Sequence, residues 1–395
     1  MAEIPARRLI RRRTHTPGLR TVRPQVDLVA DGDAIFQGLP LVAPPRRPLG
    51  RKATIRQTSL DAAGVTRNPD APVKGNRLPC VGIGIPTRGR PAYLREALAS
   101  VMAQTYSNWR LTISEDGPRS VPVLDQLEPY QDDPRITYVS TENAVGPARN
   151  MTSLISTGTE PYVVLLHDDD RWAPTFLEHH VAFLCAHPEC GFVFSPFRTI
   201  DSQGAPIENC RFELEERVYN PEELLPKLLH RNMVSRPLVR RTAYVAVGMA
   251  FDERFDRIYD YDMYIRLAAR FPAGYLHVHE YEYRIHGAQS SFVRQRRAEE
   301  HLLLIDNAEG VLSTSEINLS EQDRRQIRSS ALIPAALDAL EAGDMRLARR
   351  RLFEAVRLTP SVVFDPRVMA GLAATGFGDA GRLAICSVRD RRFKR

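Results

Sequence analysis

No apolar run among the 395 residues approaches the roughly 20 that a helix needs to span a bilayer. A helical membrane anchor is therefore not expected. Cysteine is sparse and scattered: Cys80, Cys185, Cys190, Cys210 and Cys386 include no CxxC pair. That speaks against a zinc knuckle or a disulfide framework, and a reducing, cytoplasmic setting fits such usage. Cys185 and Cys190 read as inert core positions. The opening stretch MAEIPARRLIRRRTHTPGLR has positive charge but no apolar segment behind it, so it does not read as an export signal. Prolines interrupt the amphipathic helix that a transit peptide would need. Its arginines are neither interleaved with aromatics nor set in a nucleic-acid motif, so no specific nucleic acid is expected as a partner.

Hydrophobic residues make up 43% of the chain, enough for a sizeable core, and the length suggests two folded units plus tails. Charge is unevenly placed. Of 54 basic and 48 acidic residues, 15 and 6 fall within residues 1–77, so the remainder holds 39 and 42 and carries a balance of −3. Residues 1–77 are rich in arginine and proline without a sustained period and read as a flexible extension. Within them VDLVADGDAIFQGLPLV is apolar enough to dock somewhere.

At Leu78 the character changes. CVGIGIP alternates Val81, Ile83 and Ile85 with small residues and predicts a strand. Pro91 opens a helix in which Leu94, Ala97, Leu98, Val101 and Met102 share one face. WRLTIS, ITYVS, YVVLL and GFVFSP predict further strands, with helices starting at GPARN and near Thr175. Strands alternating with helices imply an α/β fold with a mostly parallel, doubly wound sheet over residues 78–296. Residues 297–395 turn helical. There Gly343 ends one helix, Asp344 caps the next, Pro360 stops it, and Ala348, Leu352, Ala355 and Val356 form its apolar stripe. The hairpin is similar to one tetratricopeptide unit, but a single unit makes no solenoid, so a small packing domain is expected.

Doubly wound sheets bind ligands at the carboxyl ends of their strands, where PTRGR, EDG and HDDD all sit. The three consecutive aspartates of YVVLLHDDDRWAP repel one another and call for a cation. Clustered carboxylates at a strand end are suited to Mg²⁺ or Mn²⁺, and such an ion most often serves a phosphate-bearing substrate. Asp116 is placed to accept hydrogen bonds from a base or ribose. Arg149, near a helix start, is placed to meet phosphate.

Together these stretches resemble the family 2 glycosyltransferases, inverting enzymes with the GT-A (Rossmann-like) nucleotide-diphosphosugar fold. The resemblance runs through VGIGIPTRGRPAYLREALASVMAQTYSNWRLTISEDG, ENAVGPARN, LLHDDDRWAP, PLVRRTAYVAVGMAFDERF, YDYDMYIRLAARF and YRIHGAQSS, from about Leu78 to Ser291. It implies that Pro86, Thr87 and Arg88 contact the nucleotide base and that Asp116 binds uracil or its counterpart. Arg149 would meet the nucleotide or its phosphates, and Asp168 the ribose. By the same resemblance Asp169 coordinates Mn²⁺ or Mg²⁺ with Asp170 as its neighbour, His286 contacts metal or phosphate, and Asp260 is the catalytic base. Members often begin the DxD motif with aspartate, where this chain has His167, and the usual asparagine of the first motif is Gly89.

The implied activity moves a sugar from a nucleotide-diphosphosugar, a UDP-sugar favoured, to a glycan, lipid-linked or protein acceptor in cell-surface glycan synthesis. The alternative is a non-catalytic scaffold, against which the joint retention of Asp116, Asp169 and Asp260 argues. Read from the residues alone, Asp260 and Asp262 are acidic residues that favour a helix start, and Asp262 stands as the substitute base. His179 and His180 read as surface or packing residues. For the arginine-rich extension, a solvated linker is preferred over a dock for anionic lipid at the inner membrane face or a nucleic-acid patch. Sugar and acceptor specificity would lie in loops such as RFELEERVYNPEELL and HRNMVSRP.

Overall fold

The computed structural model describes residues 78–377 apart from 119, 211, 231–232, 288–296 and 314–316. The N-terminal extension and Cys386 lie outside the described residues. Strand β1 (Val81–Thr87) leads through α1 (Pro91–Met102) to β2 (Trp109–Glu115), and α2 (Val121–Leu127) leads to β3 (Ile136–Ser140). Helix α3 (Pro147–Ser156) returns the chain to β4 (Tyr162–Leu165) on the other side of β1. These four strands are parallel. The proline at the first turn of α1 supplies the expected start, and Leu94, Ala97, Leu98 and Val101 are buried as their spacing required. Gly84 on β1 has a packing reason: a Cβ there would lie 2.6 Å from Leu165 and 3.0 Å from Leu154, so only glycine admits α3 this close.

Beyond β4 come β5 (Arg171–Trp172), α4 (Phe176–Ala186), β6 (Phe192–Phe194), β7 (Phe197–Ile200), β8 (Pro206–Asn209) and β9 (Arg217–Tyr219). They are followed by α5 (Pro221–His230), β10 (Leu238–Arg240), α6 (Arg241–Ala246), α7 (Tyr259–Ala268), β11 (Ala273–Tyr275) and β12 (Tyr281–Arg284). The main sheet has the order β3-β2-β1-β4-β10-β6-β11-β9, with β10 and β9 antiparallel to their neighbours. A second sheet, β5-β12-β7-β8, has no counterpart in the sequence reading. All four residues of β4 are buried, on alternating faces. Tyr162 and Val164 join the core under α1 and α4, while Val163 and Leu165 join the one under α3, α5 and α7.

Four helices complete the described chain: α8 (Arg297–Ser313), α9 (Glu321–Glu341), α10 (Met345–Leu358) and α11 (Pro366–Phe377). Gly343 adopts φ 85°, Asp344 accepts a hydrogen bond from the Leu347 N–H, and Pro360 opens a short 3-10 turn. Leu304, Ile305, Ala308 and Leu312 of α8 pack into the same core as α5 and α7. The Glu300 carboxylate accepts from the backbone N–H groups of Asp256, Arg257 and Ile258 at 3.1–3.2 Å, so α8 caps the start of α7 from outside. No helix among the described residues is long and apolar enough to cross a membrane.

Three of the residues singled out on α4 and just beyond it differ in their surroundings. His180 is fully buried, stacked on Phe176 with ring centroids 4.0 Å apart, and its Nδ1 lies 2.7 Å from the Phe176 carbonyl. Cys190 is buried, but Cys185 is exposed and is not the core position its apolar setting suggested. It falls off the stripe formed by Phe176, Leu177, His180, Val181 and Leu184.

Burial lowers His180 from 6.5 to about 4. Between those values the unfolded chain takes up a proton that the folded one refuses, so stability falls as the pH drops below about 6.5 and levels off near 4. The loss from this group amounts to roughly 3 kcal/mol. His180→Leu should shrink the difference between urea-unfolding free energies at neutral and acid pH by most of that amount. An undiminished difference would assign the acid sensitivity elsewhere.

Candidate active site

Four strand ends and loops meet where the sheet order turns from β1 to β4. The β1 end supplies Pro86, Thr87, Arg88 and Arg90, the β2 end Asp116, and the start of α3 Pro147 and Asn150. The β4 end adds His167, Asp168 and Asp169, and Arg236 and Tyr259 close the opposite wall of a cleft of about 320 Å³.

Each aspartate of the HDDD stretch has a different setting. Asp168 is fully buried. Its Oδ2 accepts from the Thr87 hydroxyl at 2.7 Å, and its Oδ1 lies 3.0 Å from Arg90. Burial pushes it up to about 6, against the pull of Arg90 and with a further push from Asp169. Asp169 Oδ2 is shared by Arg90 and by His286 Nε2 at 3.1 Å, and its Oδ1 has no hydrogen bond among the described residues. Asp170 faces inward, where the Tyr281 hydroxyl and the Arg284 N–H occupy its two oxygens. Burial first, then Asp169, pushes it up to about 7. Beneath them the fully buried Arg284 donates to the Asp169 carbonyl at 2.8 Å. Arg90 thus already meets part of the negative charge of Asp168 and Asp169.

Arg236 is the least foreseeable part of the site. It is 6% exposed and adopts φ 45°, a left-handed conformation that side chains other than glycine seldom take. Such strain persists only where surrounding contacts enforce it. Its guanidinium spans the cleft wall, donating to Asp260 Oδ2 at 2.9 Å and to His167 Nδ1 at 2.7 Å. Arginine only donates, so His167 Nδ1 is the acceptor and a neutral His167 carries its proton on Nε2. Neutrality follows from the same contact. Burial first, then Arg236 and Arg90, holds His167 well below its ordinary value.

Asp116 takes the Val145 N–H at 2.6 Å and the Gly146 N–H at 3.2 Å, which fixes the turn into α3. Asn150, not anticipated, hydrogen-bonds the Ser114 carbonyl on β2 at 3.2 Å. Arg149 is not part of the cleft lining. Its exposed guanidinium pairs with Glu253 at 2.7 Å. Asp262, the substitute base read from the sequence, faces away from Arg236 and His167. It is 4% exposed and tied to Arg266 at 2.9 Å and Asn307 at 3.1 Å, outside the cleft lining.

Among the described residues, His167, Asp169 and Asp170 form a group whose ligand atoms lie within 4.8 Å of one another. The donor set fits a hard divalent cation chiefly through Asp169, whose Oδ1 is open. Asp170 is a buttress with both oxygens engaged. His167, with its proton on Nε2, offers that nitrogen as a hydrogen-bond donor and not as a ligand. His286 stands beside Asp169 as either a donor or, with its proton on Nδ1, a second ligand.

Residues 83–239 match the profile of the family described as "Glycosyl transferase family 2". They form a family 2 glycosyl transferase domain. The chain is 24% identical over 193 residues to an uncharacterized glycosyltransferase of Methanocaldococcus jannaschii, covering 48% of this chain and 65% of that one. Over 221 residues it is 26% identical to chondroitin synthase of Escherichia coli, covering 54% of this chain and 30% of that protein. The chain thus spans less than two thirds of these relatives. Among solved structures, S. aureus TarS 1-349 in complex with UDP-GlcNAc shares the fold at TM-score 0.56 and 14% identity, covering 78% of this chain and 88% of that one. The α/β fold of this chain is thus shared with that structure.

Proposed function

We propose that this chain transfers a sugar from a nucleoside-diphosphosugar, preferably a UDP-sugar, to an acceptor hydroxyl with inversion. The observation that carries this reading is the bridge that Arg236 makes from His167, beside Asp169 in the cleft at the sheet's switch point, to Asp260. Thr87, Arg88 and Asp116 border the end suited to base and ribose. Arg90 and Arg236 present positive charge where a diphosphate would lie, stabilising it as it leaves. Asp260, held by Arg236, accepts the proton of the attacking hydroxyl. A divalent cation held at Asp169 would neutralise part of the charge developing on the leaving diphosphate. One base suffices for single displacement, with no covalent intermediate.

Relatives named chondroitin synthase, teichuronic acid biosynthesis glycosyltransferase and colanic acid biosynthesis glycosyl transferase support a role in making cell-surface glycan. In this reading residues 78–296 are the catalytic unit, residues 297–395 a helical region packed on it, and residues 1–77 a linker. The test is a thermal-shift panel of nucleoside-diphosphosugars with and without Mn²⁺. A matched donor at about 100 times its Kd stabilises the fold by about 2.7 kcal/mol, read as a rise of about 5 °C. No rise with any donor, with or without metal, would sink the proposal.

A further inference from the structure

Helix α10 presents a solvent face that the transferase reading leaves unused. At 100° per residue, Arg346, Arg349, Phe353 and Arg357 fall within an arc of about 80°, and all four are exposed. The opposite side carries Ala348, Leu352 and Ala355, all at 0% exposure, against α9 and α11. The one acid of the helix, Glu354, lies outside the arc and faces Arg328 at 3.7 Å. Arg350, at the arc's edge, borders a groove that also holds Asp306 and Glu354, so its charge is partly met.

Two features make this face unusual for the molecule. The chain from residue 78 onward carries a balance of −3, yet the arc holds three arginines and no acid. Phe353 stands 54% exposed in its middle, with Arg349 over its ring at 5.6 Å. Of the seven exposed large hydrophobics among the described residues, Phe353, Phe364 and Met369 belong to α10, α11 and the turn between them.

We propose that this face of α10 docks on an anionic lipid surface. The order of groups matches a bilayer interface: phenylalanine enters the acyl boundary, while arginine stems lie along it and guanidinium groups reach lipid phosphates. A convex helix face offers no groove to hold a polyanion, and such a polymer would leave the central phenylalanine without an apolar partner. The occupant is therefore a membrane leaflet carrying acidic headgroups.

The test uses the full chain with Phe353→Trp. Trp109 and Trp172 are 3% and 4% exposed, so they stay silent to a quencher in the lipid. With vesicles of phosphatidylcholine and phosphatidylglycerol, emission from the introduced tryptophan should shift to the blue and be quenched by brominated acyl chains. Phosphatidylcholine alone should give neither change. The double substitution Arg346→Gln, Arg349→Gln should weaken partitioning about 30-fold. Vesicle binding that leaves the introduced tryptophan unquenched would place the contact elsewhere, including on the basic N-terminal residues, and overturn the proposal. So would binding to single-stranded RNA with no binding to vesicles, which would make the face a nucleic-acid surface.

Discussion

Asp169→Asn should reduce sugar transfer on the order of 10³-fold or more and abolish calorimetric Mn²⁺ binding, while the protein stays folded. The size of the effect follows from position. Asp169 combines an open carboxylate oxygen facing the cleft with a second oxygen shared by Arg90 and His286. Asparagine keeps the volume and a hydrogen-bond acceptor but removes the charge that a hard cation needs. Folding survives because Arg90 retains Asp168 at 3.0 Å. His167→Gln is the informative companion, and it should leave Mn²⁺ affinity near that of the parent, since the proton on Nε2 already keeps His167 from ligating. Mn²⁺ binding that survives Asp169→Asn removes the metal assignment. Mn²⁺ binding lost in both variants would show that His167 ligates and that its tautomer has been read wrongly.

Asp260→Asn is expected to lower the rate of transfer by about 10²–10⁴-fold, the usual worth of a positioned general base. Donor affinity should change little, since the base, ribose and metal contacts belong to other loops. Asparagine can still accept from Arg236 through its side-chain oxygen, so the wall that links Arg236 to His167 keeps its shape. Initial rates on an identified acceptor and donor affinity by calorimetry decide the matter. Equal rates in both proteins eliminate Asp260 as base. Donor binding lost together with activity would mean that the Asp260–Arg236 pair holds the site together, and that the proton goes elsewhere.

The fold from β1 to β4 was legible because β1 and α1 are long enough for their periods to show and β4 is a wholly apolar run. Leu94, Ala97, Leu98 and Val101 mark α1 at helical spacing, and Val81, Ile83 and Ile85 alternate on β1. The second sheet was not legible, since β5 has two residues and β7, β8 and β12 have four each, too few to display alternation. Their pairing is decided by contacts across as many as 111 positions, as between Arg171 and Glu282. The aspartates announced themselves as adjacent like charges, but their partners did not. Arg236 gains its role only when folding brings it beside His167 and Asp260, 69 and 24 positions away. Asp262 could have been set aside from spacing alone: two positions along a helix turn a side chain by about 200°, so Asp260 and Asp262 leave α7 on opposite faces.

The contact between Glu300 and the start of α7 sets the order in which this protein can become competent during synthesis. The sheet, the core under α1 and α4, and every cleft residue from Pro86 to Tyr283 precede residue 297 in the chain. Even so, three successive N–H groups at the entrance to the Asp260 helix find their acceptor only in a side chain 42 to 44 positions downstream. A nascent chain emerging at about 5–20 residues per second therefore displays a nearly complete nucleotide cleft for several seconds before α8 arrives to fix its far wall. The appended helices are the last step of the site's own assembly.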